Sequence, residues 1–247
     1  MGRADDASAN AASADATSPD TASADAASAD ATQPVLWDLP VRVIHWALAL
    51  CVPASWWTVE EGYMEQHAWI GYSVLVLVAT RLVWGVVGSP QARFGDFLRG
   101  PRAILAYLRG AARDTPGHNP LGGWSSLALW LVLLAQAGSG LFNSDGILFD
   151  GPLYHAADTP ITDFLGSVHA IAFNFLLGLI ALHLTAVAYY QFIVRERLLG
   201  PMLRGYAAGR HGTGPPRPWW WAILIAAVFA LLLWGIISLA PEPESYW

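Results

Sequence analysis

The sequence predicts an all-α membrane protein, a bundle of four transmembrane helices followed by a fifth, C-terminal transmembrane helix. Three observations carry this. The 247-residue chain is 55% apolar and 13% charged, where a soluble domain carries about 25% charged residues. Five long stretches lack Asp, Glu and Arg: Val43–Val59, Gln66–Thr80, Thr115–Ser144, Phe164–Val194 and Pro218–Pro241. No alternating barrel pattern occurs, which leaves helix as the spanning form whose backbone satisfies itself in lipid.

The chain opens on residues 1–34, rich in Ala, Ser and Asp. A five-residue repeat runs from Ser13 to Thr32 and sets Asp15, Asp20, Asp25 and Asp30 at equal intervals. Such a segment buries too little apolar surface to offset its ordering entropy, so a disordered acidic tail is expected. It has no basic n-region and no apolar h-region and does not read as a signal peptide. Residues 35–205 read as the membrane domain, 206–217 as a linker, and 218–247 as the fifth span with a short tail.

The expected apolar cores are 41–58, 67–87, 125–142, 165–191 and 219–240, against a requirement of about 20 residues per span. The second reaches that length only with Arg81 at depth or snorkelling. Trp56 and Trp57 end the first span and Trp219–Trp221 begin the fifth, where amphipathic rings favour the membrane interface. Between spans two and three lie Arg93, Arg99, Arg102, Arg109 and Arg113. Between spans four and five lie Arg195, Arg197, Arg204, Arg210 and Arg217. The opposite loops, 59–66 and 143–164, and the C-terminal end hold no Arg, only acids: Glu60, Glu61, Glu65, Asp145, Asp150, Asp158, Asp163, Glu242 and Glu244. The excess of positive charge on cytoplasmic loops then places the N-terminus inside and the C-terminus outside. Arg93–Arg113 reads as a surface helix with Phe94, Phe97, Leu98, Ile104, Leu105 and Leu108 toward lipid.

Composition also excludes. The net charge is −6, which argues against a nucleic-acid binder working through a basic face. All 13 basic residues are Arg, so lysine Schiff-base and P-loop chemistry are absent. The single cysteine, Cys51, permits no intramolecular disulfide, no Cys-x-x-Cys-His haem attachment and no cysteine-held iron–sulfur cluster. It sits in the first apolar span and reads as core packing.

Four of the seven histidines, His45, His67, His169 and His183, lie in or at the ends of spans, where ionisable groups are costly and usually functional. His169 and His183 are 14 residues apart, hence on one helix face and about 21 Å apart along the axis. They cannot share one ion; they can serve two sites. Span direction pairs them by depth: His67 with His169 near the outer face, His45 with His183 near the inner face. Two imidazoles facing across a bundle suit bis-histidine ligation of a non-covalent haem b, which makes the fold class a four-helix transmembrane di-haem bundle plus a fifth helix. The competing reading is four hydrogen-bonded core histidines. Gly71, Gly138, Gly140 and Gly178 either leave room for a flat ligand or serve close helix packing. Arg81 lies 14 residues after His67 and either pairs with a propionate of the inner haem or snorkels to the interface. His155 and His211 read as solvated loop residues.

With these residues in place, the chain resembles the bacterial di-haem cytochrome b561 family, which includes the b-type cytochrome subunits of nickel–iron hydrogenases. The resemblance rests on WDLPVRVIHW around His45, HAWIGYSVLVLVATRLVWG from His67, the His169–His183 pair, PGHNPLGGWS before span three and LFNSDGILFDGPL after it. It covers about residues 35–205. It implies a protein of the inner membrane with His45, His67, His169 and His183 as axial ligands of two haems b. It also implies electron transfer between quinone and a redox partner, such as a periplasmic cytochrome c or an oxidoreductase or hydrogenase subunit. His118 matches a recurrent family feature, as a loop turn or a propionate contact. An electron-transfer subunit is expected over a stand-alone enzyme. The rival readings are a quinone reductase oxidising a small donor such as superoxide, and a haem-free anchor or transporter.

Overall fold

The computed structural model describes residues 35–110, 117, 119–147, 149–207 and 212–241. The acidic tail, Arg113, His118, Arg210, His211, Glu242 and Glu244 lie outside them. The described chain is helical. Five of its helices are long and apolar enough to cross a membrane, with 22, 24, 21, 36 and 19 residues, and all five fall where the apolar stretches place them.

Helix α1 spans Leu39–Glu60. Asp38 caps it, with Oδ1 accepting from the Val41 N–H at 2.9 Å, and Pro40 fills a first-turn position that has no N–H to lose. Pro53 lies inside α1, a placement that membrane helices tolerate. Gly62, at φ 75°, turns the chain with Tyr63 N–H donating to Thr58 O at 2.7 Å. That left-handed residue is why glycine stands there. Helix α2 follows at Met64–Val87, so α1 and α2 form a tight hairpin.

The segment expected to be one surface helix is broken. A 3-10 turn at Pro90–Ala92 leads to α3, Phe94–Phe97, and then α4, Pro101–Leu108. Gly100 precedes Pro101, and the ring of a proline pushes its predecessor out of helical geometry. Phe94 and Phe97 do not face lipid: Phe97 is 4% exposed, and both rings pack on Trp130. Leu105 and Leu108 remain exposed. Tyr107 of α4 hydrogen-bonds Tyr190.

Helix α5, Pro120–Gly140, is capped by Asn119, whose Oδ1 accepts from Gly122 N–H at 2.7 Å. Helix α6, Thr159–Ala188, continues into a π-helical turn at Tyr189–Val194. A short α7, Leu199–Arg204, and the fifth long helix α8, Trp220–Ser238, complete the chain. Helix α6 packs along α5, α5 on α2, and α2 on both α1 and α8. Helix α1 does not pack closely along α6, so the bundle is a curved row whose two ends face each other across a slot. Ile44, Leu48, Val74, Val78, Leu133 and Leu176 fill its middle, with Cys51 packed beside them. At the end where α1 starts, Asp38 Oδ2 accepts from Trp84 Nε1 at 2.8 Å. This bond joins the WDLP stretch directly to the RLVWG stretch.

Candidate cofactor site

The slot holds the four membrane histidines. The rings of His67 and His169 lie 6.3 Å apart between centroids, and those of His45 and His183 lie 6.5 Å apart. A metal–imidazole bond of about 2 Å on each side, plus half a ring on each side, comes to about 6 Å. Each pair therefore has the separation that one metal centre between two imidazoles requires. Direct ring contact would be closer, and independent core histidines would have no reason to repeat the spacing at both ends.

The α1–α2 hairpin builds half of the first pair. His67 stands one turn past Gly62, opposite Ser55 on the last turns of α1. Its Nδ1 lies 3.0 Å from the Ser55 carbonyl oxygen and 3.0 Å from Ser55 Oγ. On α6, His169 Nδ1 donates to the Gln136 carbonyl of α5 at 2.9 Å. A ring whose Nδ1–H is committed to a carbonyl leaves Nε2 as the lone-pair nitrogen. Both rings of this pair are thus held in the tautomer that ligates through Nε2. The Gln136 amide nitrogen sits 3.1 Å from His169 Nε2, while Gln136 Oε1 is buried with no hydrogen-bond partner among the described residues. This amide lies against the nitrogen that would ligate and is itself poorly satisfied, so a metal bound there would displace it at little cost.

Beside these rings lies a cavity of about 290 Å³, at the lower end of ordinary ligand sites. Its walls are apolar, with Val52, Val74, Leu133 and Leu176 among them, and Phe149 and Pro152 of the loop after α5 close one side. Gly71 opens onto it, with nothing within 4 Å of where its Cβ would stand. Gly140 does a different job. A Cβ there would lie 3.0 Å from His169 Cε1, so the missing side chain lets the imidazole seat against α5. Gly138 has open space beside it, whereas Gly178 lies on the exposed face of α6, half a helix turn away from the histidines, and has no part in the site.

The second pair is furnished differently. His45 Nδ1 is buried with no hydrogen-bond partner among the described residues, and Trp46 packs edge-on against the ring at 5.0 Å. Arg81 belongs to this end of the bundle and does not snorkel. It is 2% exposed. Its guanidinium lies 4.1 Å over the Trp130 ring, Nη1 donates to the Ala92 carbonyl at 3.2 Å, and Nη2 is buried without a hydrogen-bond partner among the described residues. A buried cation with one free donor fits an anionic group of a bound molecule. The residues present therefore fit a bis-histidine haem at both ends. His155 is exposed, as expected, and pairs with Asp150 at 3.1 Å.

Ser55 and Gln136 were not among the expected site residues. Each is a polar residue within an apolar span, but neither stands alone there: Thr58 shares the first span with Ser55, and Ser139 shares the third with Gln136. Comparison with curated proteins and with solved structures gives no match. A family model described as prokaryotic cytochrome b561 matches residues 36–205. That segment carries all four paired histidines, Arg81 and the two stretches joined by the Asp38–Trp84 bond, and the chain belongs to the prokaryotic cytochrome b561 family.

Proposed function

We propose that the chain is a di-haem b-type cytochrome of the bacterial inner membrane that carries electrons between the quinone pool and a redox partner protein. The observation that carries this reading is the repeated 6.3 and 6.5 Å spacing of the two histidine pairs. His67 with His169, and His45 with His183, hold the two haems by their imidazoles. Bound haem supplies a reversible one-electron centre whose potential the protein sets through ligands, hydrogen bonds and burial.

The side chains do the holding, orienting and screening. Ser55 and Gln136 fix the rings of the first pair through their carbonyls. The apolar walls keep water from the ring faces, and Gly71 leaves space for a flat macrocycle. Arg81 directs Nη2 to a propionate of the haem at the second pair. Residues 35–205 form the electron-carrying unit; residues 206–217 link it to the fifth span. The arginine-bearing loops lie in the cytoplasm and the loops carrying Glu60, Glu61, Glu65, Asp145 and Asp150 lie outside, where they attract a cationic partner such as a cytochrome c.

The test is direct. Adding a quinol analogue to the oxidised, purified protein in lipid develops the reduced b-type absorption spectrum. A haem-loaded protein that no quinol reduces, and that no reduced haem-to-quinone transfer reoxidises, contradicts the quinone role.

A further inference from the structure

The end of the bundle that holds the second pair is closed by residues from beyond the family-matched segment, which stops at 205. The turn after α2 carries two buried polar side chains, Ser89 and Gln91, and then the buried Ala92. A buried polar group is costly unless it is hydrogen-bonded, and these two find their partners in the stretch between α7 and α8. Ser89 Oγ accepts from the Arg217 N–H at 3.0 Å, and Gln91 Nε2 donates to Thr213 Oγ1 at 2.9 Å. A Cβ at Gly212 would overlap the Val35 carbonyl oxygen, so glycine lets this stretch lie flat on the chain that enters α1. Anchors stand on both sides of it. The Gly205 carbonyl accepts from the Leu36 and Trp37 N–H groups at 2.8 and 3.2 Å, and Ala222 of α8 is buried with Trp37, Trp84 and Ala92.

The same turn fixes Arg81, which lies fourteen residues beyond His67 on α2, about 21 Å along the axis and so at the depth of the second pair. Its Nη1 donates to the Ala92 carbonyl, the last residue of the turn, and its guanidinium rests on Trp130. The buried anion whose charge Arg81 feels is Asp38. Asp38 is itself committed, Oδ1 to the Val41 N–H and Oδ2 to Trp84 Nε1, and among the described residues no ion pair joins it to Arg81. The Ala92 carbonyl and the Trp130 face therefore decide where the guanidinium points.

Resting on the di-haem reading above, we propose that residues 212–217 are a clasp that sets the position of Arg81 at the second haem, with Ser89, Gln91 and Thr213 as positioning residues. The clasp holds the turn, the turn holds the Ala92 carbonyl, and the carbonyl holds the guanidinium toward the haem between His45 and His183. With the clasp open, water reaches Arg81 and screens its charge. The fifth span is then part of the construction of the second site, not only a further anchor in the membrane.

The experiment is a redox titration of the purified full chain in lipid, with Thr213→Val, Ser89→Ala, Arg81→Gln and the two double variants that include Arg81→Gln. Loss of His183 in His183→Ala identifies the wave of the second haem. Removing or screening a nearby cation disfavours adding an electron, so Thr213→Val and Ser89→Ala are each expected to shift that wave downward, as Arg81→Gln does, and to leave the first haem's wave in place. In the Arg81→Gln background neither adds a further shift, because both act through Arg81; such non-additivity marks a shared interaction. Ser89→Thr keeps the hydroxyl acceptor and retains the wild-type potential. An unshifted second wave, or shifts that add in the Arg81→Gln background, overturn the clasp while leaving the di-haem reading intact. Hydrogen exchange on the wild-type chain keeps the test independent of variants that fail to load haem. The Arg217 amide is expected to be protected, and residues 88–93 and 212–217 to open together. An Arg217 amide that exchanges as fast as an unstructured peptide overturns the clasp. A wild-type chain that binds no haem overturns the di-haem reading, and the clasp's role at the second haem with it.

Discussion

Gly71→Leu separates space meant for a cofactor from space left by loose helix packing. Among the described residues nothing beyond the helix's own backbone lies within 4 Å of a Cβ at this position. The new side chain then meets no protein atom at its base, and leucine is favoured over glycine in a helix interior by about 0.8 kcal/mol. On protein packing alone the substitution is neutral to stabilising. With a haem between His67 and His169 the result reverses. Gly71 stands one turn after His67, about 6 Å along the axis, and opens into the same cavity of about 290 Å³. A leucine projects several carbons into the volume the macrocycle needs, and a filled site penalises extra methylenes by about 1–3 kcal/mol. The assay is haem per chain by pyridine haemochrome, together with thermal unfolding of the same sample in detergent. The expected outcome is loss of one haem of two, with the haem-free fold no less stable than that of the wild-type chain. Gly178→Leu, on the exposed face of α6, keeps both haems. If Gly71→Leu retains two haems with unchanged spectra and potentials, the space beside Gly71 is not cofactor space and the placement of the first haem is wrong.

Other substitutions probe the same geometry. Gly140→Val drives a Cβ to within 3.0 Å of His169 Cε1. It should disturb the first haem and spare the second, read as loss of one component of the reduced-minus-oxidised spectrum. Ser55→Ala and Gln136→Ala should each retain two haems by the same count, because the Nδ1 acceptors are main-chain carbonyls that these changes preserve. Tyr107→Phe removes the bond to Tyr190. Burial first, and then that bond, push the pKa of the Tyr107 hydroxyl up to about 12, so it stays neutral through the physiological range. Losing a bond of about 0.5–1.5 kcal/mol should speed amide exchange in α4 by up to about tenfold, with no change in haem content.

Much of this was legible in the sequence because lipid imposes strong rules. A span must be long, apolar and helical, so the positions of all five long helices could be read from where acids and arginines stop. The helical period then placed His169 and His183 on one face, and span direction matched them to His67 and His45. The loops obey weaker rules. Phe94 and Phe97 read as lipid-facing on one amphipathic helix, yet Gly100–Pro101 breaks that helix and Trp130 offers both rings a better surface. Arg81 shows the limit differently. Its place on α2 is fixed by counting, but whether it snorkels depends on Trp130 and the Ala92 carbonyl, which tertiary packing brings to it. Gln136 and Ser55 meet the histidine rings through backbone atoms, and a main-chain carbonyl leaves no mark in residue type.

The proposed arrangement puts one haem b between each histidine pair, at opposite ends of one slot. The most direct measurement is haem stoichiometry of the purified chain and of two single variants. Two haems b per wild-type chain are expected, and one in each of His169→Ala and His183→Ala. No haem in the wild-type chain, or two haems surviving either substitution, contradicts it.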